Sequence, residues 1–131
     1  MKKILSALPR VLLGLIYFAA GLAGLLNKIP QEPMEGAAAL YMSGLGGSYL
    51  ITLVKLTEVT VGVLLLANRF VPLALLIIAP VVINIAAFHL FYAPSGLAVP
   101  VFMIAAQIFI AWQHRAAFAT VLTARQPALS A

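Results

Sequence analysis

The sequence predicts an all-α integral membrane protein, a four-helix transmembrane bundle with both termini cytoplasmic. Of its 131 residues, 64% are hydrophobic and only 8% are charged, which lies outside the range of soluble globular proteins. The apolar residues form four long runs, each about long enough to cross a bilayer. Most of the lysines and arginines lie at the ends of these runs that would face the same side of the membrane. We therefore expect residues 1–131 to form a single membrane domain.

The apolar runs set the predicted helix boundaries. We place the helices at about 5–26, 49–67, 70–91 and 97–115, with an outer loop at 27–48 and a polar tail at 124–131. The basic start resembles a secretory signal, but the apolar run continues unbroken to Leu26, so we interpret it as the first membrane helix. In the outer loop, 34–42 is either a plain ordered loop or a short surface helix that covers a cavity, with Leu40 and Tyr41 towards lipid.

The distribution of basic residues predicts the orientation. Six lie at the ends that we assign to the cytoplasm: Lys2, Lys3, Arg10, Arg69, Arg115 and Arg125. The opposite ends carry only Lys28. Cytoplasmic loops of membrane proteins are rich in lysine and arginine, so both termini are predicted to lie inside the cell.

Lys55 and Glu58 interrupt the second apolar run, 49–67. A lone charge at mid-bilayer costs roughly 2.5–3.5 kcal/mol on insertion scales. Residues three apart share one face of a helix and partly neutralise each other. Gly62 continues the same stripe, so we expect this face to point into the bundle and to mark a functional site. The alternative is that the two charges only tie neighbouring helices together.

Further polar residues lie within the other apolar runs. Tyr17 and Gln107 come near the middle of the first and fourth helices, and Asn84 follows Pro80 by one turn. The amide of Asn84 either satisfies a backbone group freed by Pro80 or bonds a neighbouring helix or ligand. His89 is five residues further, roughly 140° around an ideal helix, so we expect Asn84 to face the bundle and His89 the rim or adjacent loop.

In the predicted orientation, these polar residues lie near the middle of the membrane or in its outer half. They therefore predict a polar pocket in the outer half of the bundle. The candidate ligand-binding residues are Lys55, Glu58, Asn84, His89, Tyr17 and Gln107.

The composition excludes several kinds of chemistry. The chain has no cysteine, which excludes disulfides, thiolate-held metals and iron–sulfur clusters. His89 and His114 are predicted on opposite sides of the membrane, which argues against a bis-histidine haem within one chain. The basic residues flank apolar runs and do not form a basic surface, so we expect no nucleic-acid partner. We expect no metal and no intrinsic cofactor.

Several segments carry a family resemblance. They are Gly21-x-x-Gly24-Leu25-x-x-Lys28, Lys55-x-x-Glu58-x-x-x-Gly62, Asn68-Arg69-Phe70-Val71-Pro72 and Ala79-Pro80-Val81-Val82-x-Asn84-Ile85-x-x-Phe88-His89-Leu90. With them, residues 11–112 resemble the DoxX family of small bacterial four-helix membrane proteins. The resemblance implies a multi-pass protein of the bacterial inner (plasma) membrane. It also implies association with an oxidoreductase partner subunit and with quinone-linked sulfur or oxidative-stress chemistry.

Two functions follow as hypotheses. In the first, the pocket binds a small lipophilic molecule, quinone-like or lipid, as accessory to a membrane redox system. Lys55, His89 or Asn84 would donate to a carbonyl oxygen and Glu58 would relay a proton. In the second, the chain is a non-catalytic partner or assembly subunit whose buried charges fix helix packing. Transport is disfavoured, because four helices leave little room for a gated pathway without a homo-oligomer. The sequence assigns no catalytic residue.

Overall fold

The computed structural model describes residues 1–29 and 32–129, and within these ranges the regular structure is entirely helical. The helices are α1 Lys2–Leu25, α2 Gly36–Gly46, α3 Tyr49–Leu66, α4 Val71–Tyr92, α5 Ala98–Gln113 and α6 Arg115–Val121, with a 3₁₀ turn at Pro94–Gly96. The predicted all-α class is confirmed.

Three helices are long and apolar enough to cross a bilayer: Lys3–Leu25, Tyr49–Leu66 and Val71–Tyr92. This indicates a membrane protein surrounded by lipid. The fourth apolar helix, α5, has 16 residues and is about 24 Å long, against a hydrocarbon core of about 30 Å. It ends before the predicted residue 115 because His114 leaves helical geometry, with φ −104° and ψ 21°, before α6 begins.

The ends of α1 and α3 are built alike. Asn27 and Asn68 each follow a helix in the left-handed conformation, with φ 53° and 54°. After α3, Asn68 N–H donates to Leu65 O and Arg69 N–H to Leu64 O, at 3.2 and 2.9 Å. This double hydrogen bond is the Schellman motif, and asparagine tolerates its left-handed position. The turn into α4 is therefore as tight as the dipeptide Asn68-Arg69 predicts.

The most extensive helix contact joins α1 and α3, which run antiparallel. A Cβ added to Gly21 would lie 2.8 Å from Lys55 O, and one added to Gly62 would lie 2.6 Å from Phe18 N. These atoms belong to the backbone, which does not move aside easily. Small residues let apolar helices approach this closely where lipid gives no hydrophobic driving force. The same contact lets the Arg10 guanidinium donate to Leu65 O near the end of α3.

The core fills only one end of the bundle. The side chains that pack there are buried and come from α1, α3, α4 and α5; they include Leu13, Val61, Leu65, Leu75, Ile78 and Ile110. This end contains the α3–α4 turn and the end of α5. At the other end, where α1 finishes and α3 begins, residues of several helices line a cavity.

A short helix, α2, lies across that open end. It occupies part of the 27–48 connection, so of the two alternatives for this segment the helix is present. None of its residues is buried, and it contacts α3 and α4. Leu40 is exposed as expected, but the expectation that Tyr41 points to lipid is wrong. Tyr41 turns inward because α4 offers it a hydrogen bond and an aromatic surface.

Gly21→Ala and Gly62→Ala should each lower the stability of the folded bundle by about 1–3 kcal/mol, because the new methyl group meets backbone across the α1–α3 contact. Thermal unfolding of the purified protein in detergent measures this. Gly44→Ala in α2 is the matched control, since a Cβ there meets nothing within 4 Å, and it should be neutral or stabilising. Equal melting temperatures for all three variants would contradict the close approach.

Candidate functional site

The open end of the bundle contains a cavity of about 1100 Å³ that is partly open to the outside. Residues of α1, α2, α3, α4 and α5 line it, and most of its wall is apolar. Its polar side chains include Lys55 and Glu58 on α3 and Asn84 and His89 on α4. Tyr17, Asn27, Tyr41 and Thr52 also line it. Apolar cavities with a few convergent polar groups are the usual form of small-molecule sites.

Lys55 and Glu58 form an ion pair on the α3 wall, with Lys55 Nζ 2.8 Å from Glu58 Oε2. The glutamate side chain is 3% exposed and the lysine side chain 15%. Their three-residue spacing brings both side chains to one helix face. The aliphatic part of Lys55 lies against Gly24 of α1, where an added Cβ would come 2.5 Å from the lysine Cδ. The glycine thus makes room for the lysine stem, and the ammonium group reaches back to the carboxylate.

Tyr17 joins the cavity to the core. Its side chain is buried, and its hydroxyl donates to Gln107 Oε1 at 3.3 Å. Gln107 Nε2 in turn donates to Leu75 O at 2.9 Å. Leu75 lies in the helical turn that precedes Pro80. This chain of buried hydrogen bonds ties α1, α5 and α4 together.

Asn84 and Tyr41 connect α4 to α2. Asn84 Nδ2 donates to the Tyr41 hydroxyl. The Tyr41 ring packs against Phe88 and Tyr92, with centroid separations of 5.2 and 6.2 Å. Of the two roles considered for Asn84, the amide bonds a neighbouring helix, whereas it is Gln107 that reaches a backbone carbonyl near Pro80. These contacts hold α2 over the cavity.

His89 lies at the rim of the cavity, beside the loop. Its Nδ1 is 3.2 Å from Ala93 O, and its ring fills the space where Gly96 has no side chain. It also meets Phe88 edge-on at 5.7 Å. Both His89 and Asn84 line the cavity although they are five residues apart, because the cavity is wide enough to reach two faces of α4.

The structure therefore brings five of the six candidate residues to one cavity: Tyr17, Lys55, Glu58, Asn84 and His89. Gln107 is not among its lining residues and supports Tyr17 from behind. Sequence reasoning missed Tyr41 and Phe88 as cavity residues. Only Phe88 could have been found from the sequence, because it follows Asn84 by four residues and so shares its helix face.

Chemically, the cavity offers hydrogen-bond donors above a broad apolar and aromatic wall. A polar ligand head could bond at Lys55, Tyr41 or Asn84 while its apolar part lies against the helices. Among residues 1–29 and 32–129, no group of three His, Asp or Glu side chains is placed to hold a metal ion.

No protein-family model, curated protein or solved structure matches this chain.

Glu58→Leu should destabilise the folded protein more than Glu58→Gln, because the amide still accepts a hydrogen bond from Lys55 while leucine leaves the lysine unpaired. We expect a loss of about 1–3 kcal/mol for Glu58→Leu. Thermal unfolding in detergent decides. Thr57→Val is the control, since the Thr57 hydroxyl bonds only within α3, to Leu53 O. Adding Lys55→Met to Glu58→Leu should recover part of the loss; strict additivity would mean that the two side chains do not interact.

Proposed function

We propose that this chain is an inner-membrane protein that binds a small lipophilic molecule, quinone-like or lipid, as accessory to a membrane redox system. The observation that carries the proposal is the cavity of about 1100 Å³ beside the Lys55–Glu58 pair. Its volume slightly exceeds the range of roughly 300–1,000 Å³ that small-molecule pockets usually occupy. A site of this size accommodates a ring together with part of an apolar tail.

The polar groups suit a ligand with carbonyl oxygens. Lys55 Nζ and the side chain of Asn84 are nitrogen donors on opposite walls, α3 and α4. The rings of Tyr41 and Phe88 line the cavity and offer ring faces for stacking, and Tyr92 packs against both. Glu58 lies beside Lys55 and would take up or release a proton as the ligand is reduced or oxidised. Because the chain has no cysteine, the electrons would come from a bound cofactor or from a partner subunit.

In this proposal four helices cross the membrane, namely α1, α3, α4 and α5, and both termini are cytoplasmic. The six-to-one distribution of basic residues supports the orientation. Trp112 and Arg115 support a membrane boundary at the end of α5, since the guanidinium lies 5.7 Å from the indole centroid. Tryptophan and arginine together are typical of membrane interfaces. The 3₁₀ turn before α5 would lie at the other boundary.

The redox assignment and the bacterial location rest on the resemblance of residues 11–112 to the DoxX family. An oxidoreductase subunit is the partner that this resemblance implies. A homo-oligomer is compatible with the large apolar surface that the helices leave uncovered.

One observation favours a second candidate function. Lys55 and Glu58 satisfy each other at 2.8 Å, so the pair is stable without a ligand. In that case the chain is a non-catalytic partner or assembly subunit, the ion pair fixes the register of α3 against α1, and the cavity holds only water or lipid.

The orientation is tested with single cysteines, since the chain has none of its own. A membrane-impermeant maleimide added to intact cells should label Ser43→Cys in the 27–48 connection. It should label Gln126→Cys in the tail only after the cells are opened. The unmodified chain is the unlabelled control. Labelling of Gln126→Cys in intact cells would refute a cytoplasmic C-terminus.

Ligand binding is tested with a benzoquinone that carries a decyl tail, measured by mass spectrometry after detergent exchange. The wild-type protein should retain the quinone, and Asn84→Leu and Lys55→Met should each weaken retention about tenfold, the effect of losing one hydrogen bond. Thr57→Val is the matched control on α3, because Thr57 does not line the cavity. Retention that is absent from the wild type, while all variants fold, would favour the assembly subunit.

A further inference from the structure

We infer that the cavity selects an uncharged amphiphile whose polar head accepts hydrogen bonds, and that it rejects both anionic and cationic heads of the same size. This inference rests on the proposed ligand-binding function and specifies the chemical class of the ligand. It is drawn from the charges and free donors that line the cavity.

The lining of the cavity is electrically balanced. Among the described residues that line it, Lys55 and Glu58 are the only lysine, arginine, aspartate or glutamate side chains. They neutralise each other at 2.8 Å. Lys28, the nearest basic residue after α1, is not part of the lining. His89 also lines the cavity, at its rim, with Nδ1 3.2 Å from Ala93 O. Apart from this imidazole, the described lining offers a charged ligand no side chain of opposite charge that is not already paired.

An anionic head could bind Lys55 either by drawing it away from Glu58 or by sharing the ammonium group with it. In both cases a second negative charge lies beside a carboxylate that is only 3% exposed, and the two negative charges have one cation between them. Removing one partner of a buried pair is strongly unfavourable because the remaining charge is uncompensated. A cationic head meets the reverse problem, since Lys55 already occupies the carboxylate. Repulsion by the ammonium group would exclude it.

The free donors define what the head must offer. Lys55 Nζ has three protons, and only Glu58 accepts one of them among residues 1–29 and 32–129. The Tyr41 hydroxyl accepts from Asn84 and, within the same ranges, its own proton has no protein acceptor. Two donors on α3 and α2 thus face the cavity with protons to give. A carbonyl or ester oxygen satisfies them, whereas a group that only donates does not.

Four probes with one hydrocarbon chain separate these cases: methyl oleate, monooleoylglycerol, oleate and oleylamine. Equilibrium binding to the wild-type protein in detergent, followed by native mass spectrometry, should rank both neutral esters about tenfold above the two charged probes. Oleate or oleylamine binding as tightly as methyl oleate would overturn this inference and leave the proposed function standing. If neither these four probes nor the decyl benzoquinone bind, both this inference and the proposed function are wrong.

The charge balance itself is tested with Glu58→Gln, which removes the negative charge and leaves Lys55 free to pair with a ligand. Oleate should then gain about tenfold in affinity and reach or pass methyl oleate. The double variant Lys55→Met/Glu58→Gln carries neither charge and should again prefer the neutral esters, which also guards against a folding defect in the single variant. Thr57→Val should behave as wild type. An unchanged rank order in Glu58→Gln would show that the ion pair does not select the head group.

Discussion

The close approach of α1 and α3 determines where the polar groups of this bundle lie. Gly21 and Gly62 allow the two backbones to touch, and Gly24 leaves room for the stem of Lys55. Because the helices meet backbone to backbone, they cannot slide or rotate without a clash. Tyr17 on α1 and Glu58 on α3 are therefore held against the same cavity. A membrane protein has little hydrophobic driving force between its helices, so close steric fit replaces the apolar side-chain interface of a soluble bundle.

The two ends of the helix bundle are packed differently. At the end near the α3–α4 turn, the core is filled by apolar side chains and the few polar groups are paired, as Tyr17, Gln107 and Leu75 O are. At the other end a cavity lies between the helices, and within residues 1–29 and 32–129 the side chain of Asn84 bonds Tyr41 of α2. Backbone and side-chain polar groups at bilayer depth must be satisfied within the protein. Tyr41 supplies that partner, which explains why a helix with no buried residues stays in place.

The sequence predicted the parts that depend on hydropathy and on spacing along one helix. The long helices, the shared face of Lys55 and Glu58 and the tight turn at Asn68 are all local features. It did not predict that Tyr41 turns inward or that Arg10 bonds the end of α3, because both depend on contacts between distant segments. The separation of Gln107 from the cavity was missed for the same reason. The position of a residue along a helix does not tell which neighbouring helix its side chain faces when the arrangement of the helices is unknown.

The helix α2 gives the cavity one yielding wall. The α1–α3 wall is tightly packed at its glycines, whereas α2 has no buried residue and ends at Gly46 and Gly47. It contacts α3 and α4, and Tyr41 is its hydrogen-bonded contact with α4. A ligand that is too long or too bulky would displace α2 and leave α3 unchanged. The cavity should consequently be selective for the polar head of a ligand, which meets α3. It should tolerate different lengths of the apolar tail, which lies beneath α2. Such a division would let one protein serve a family of compounds that share a head and differ in their tails.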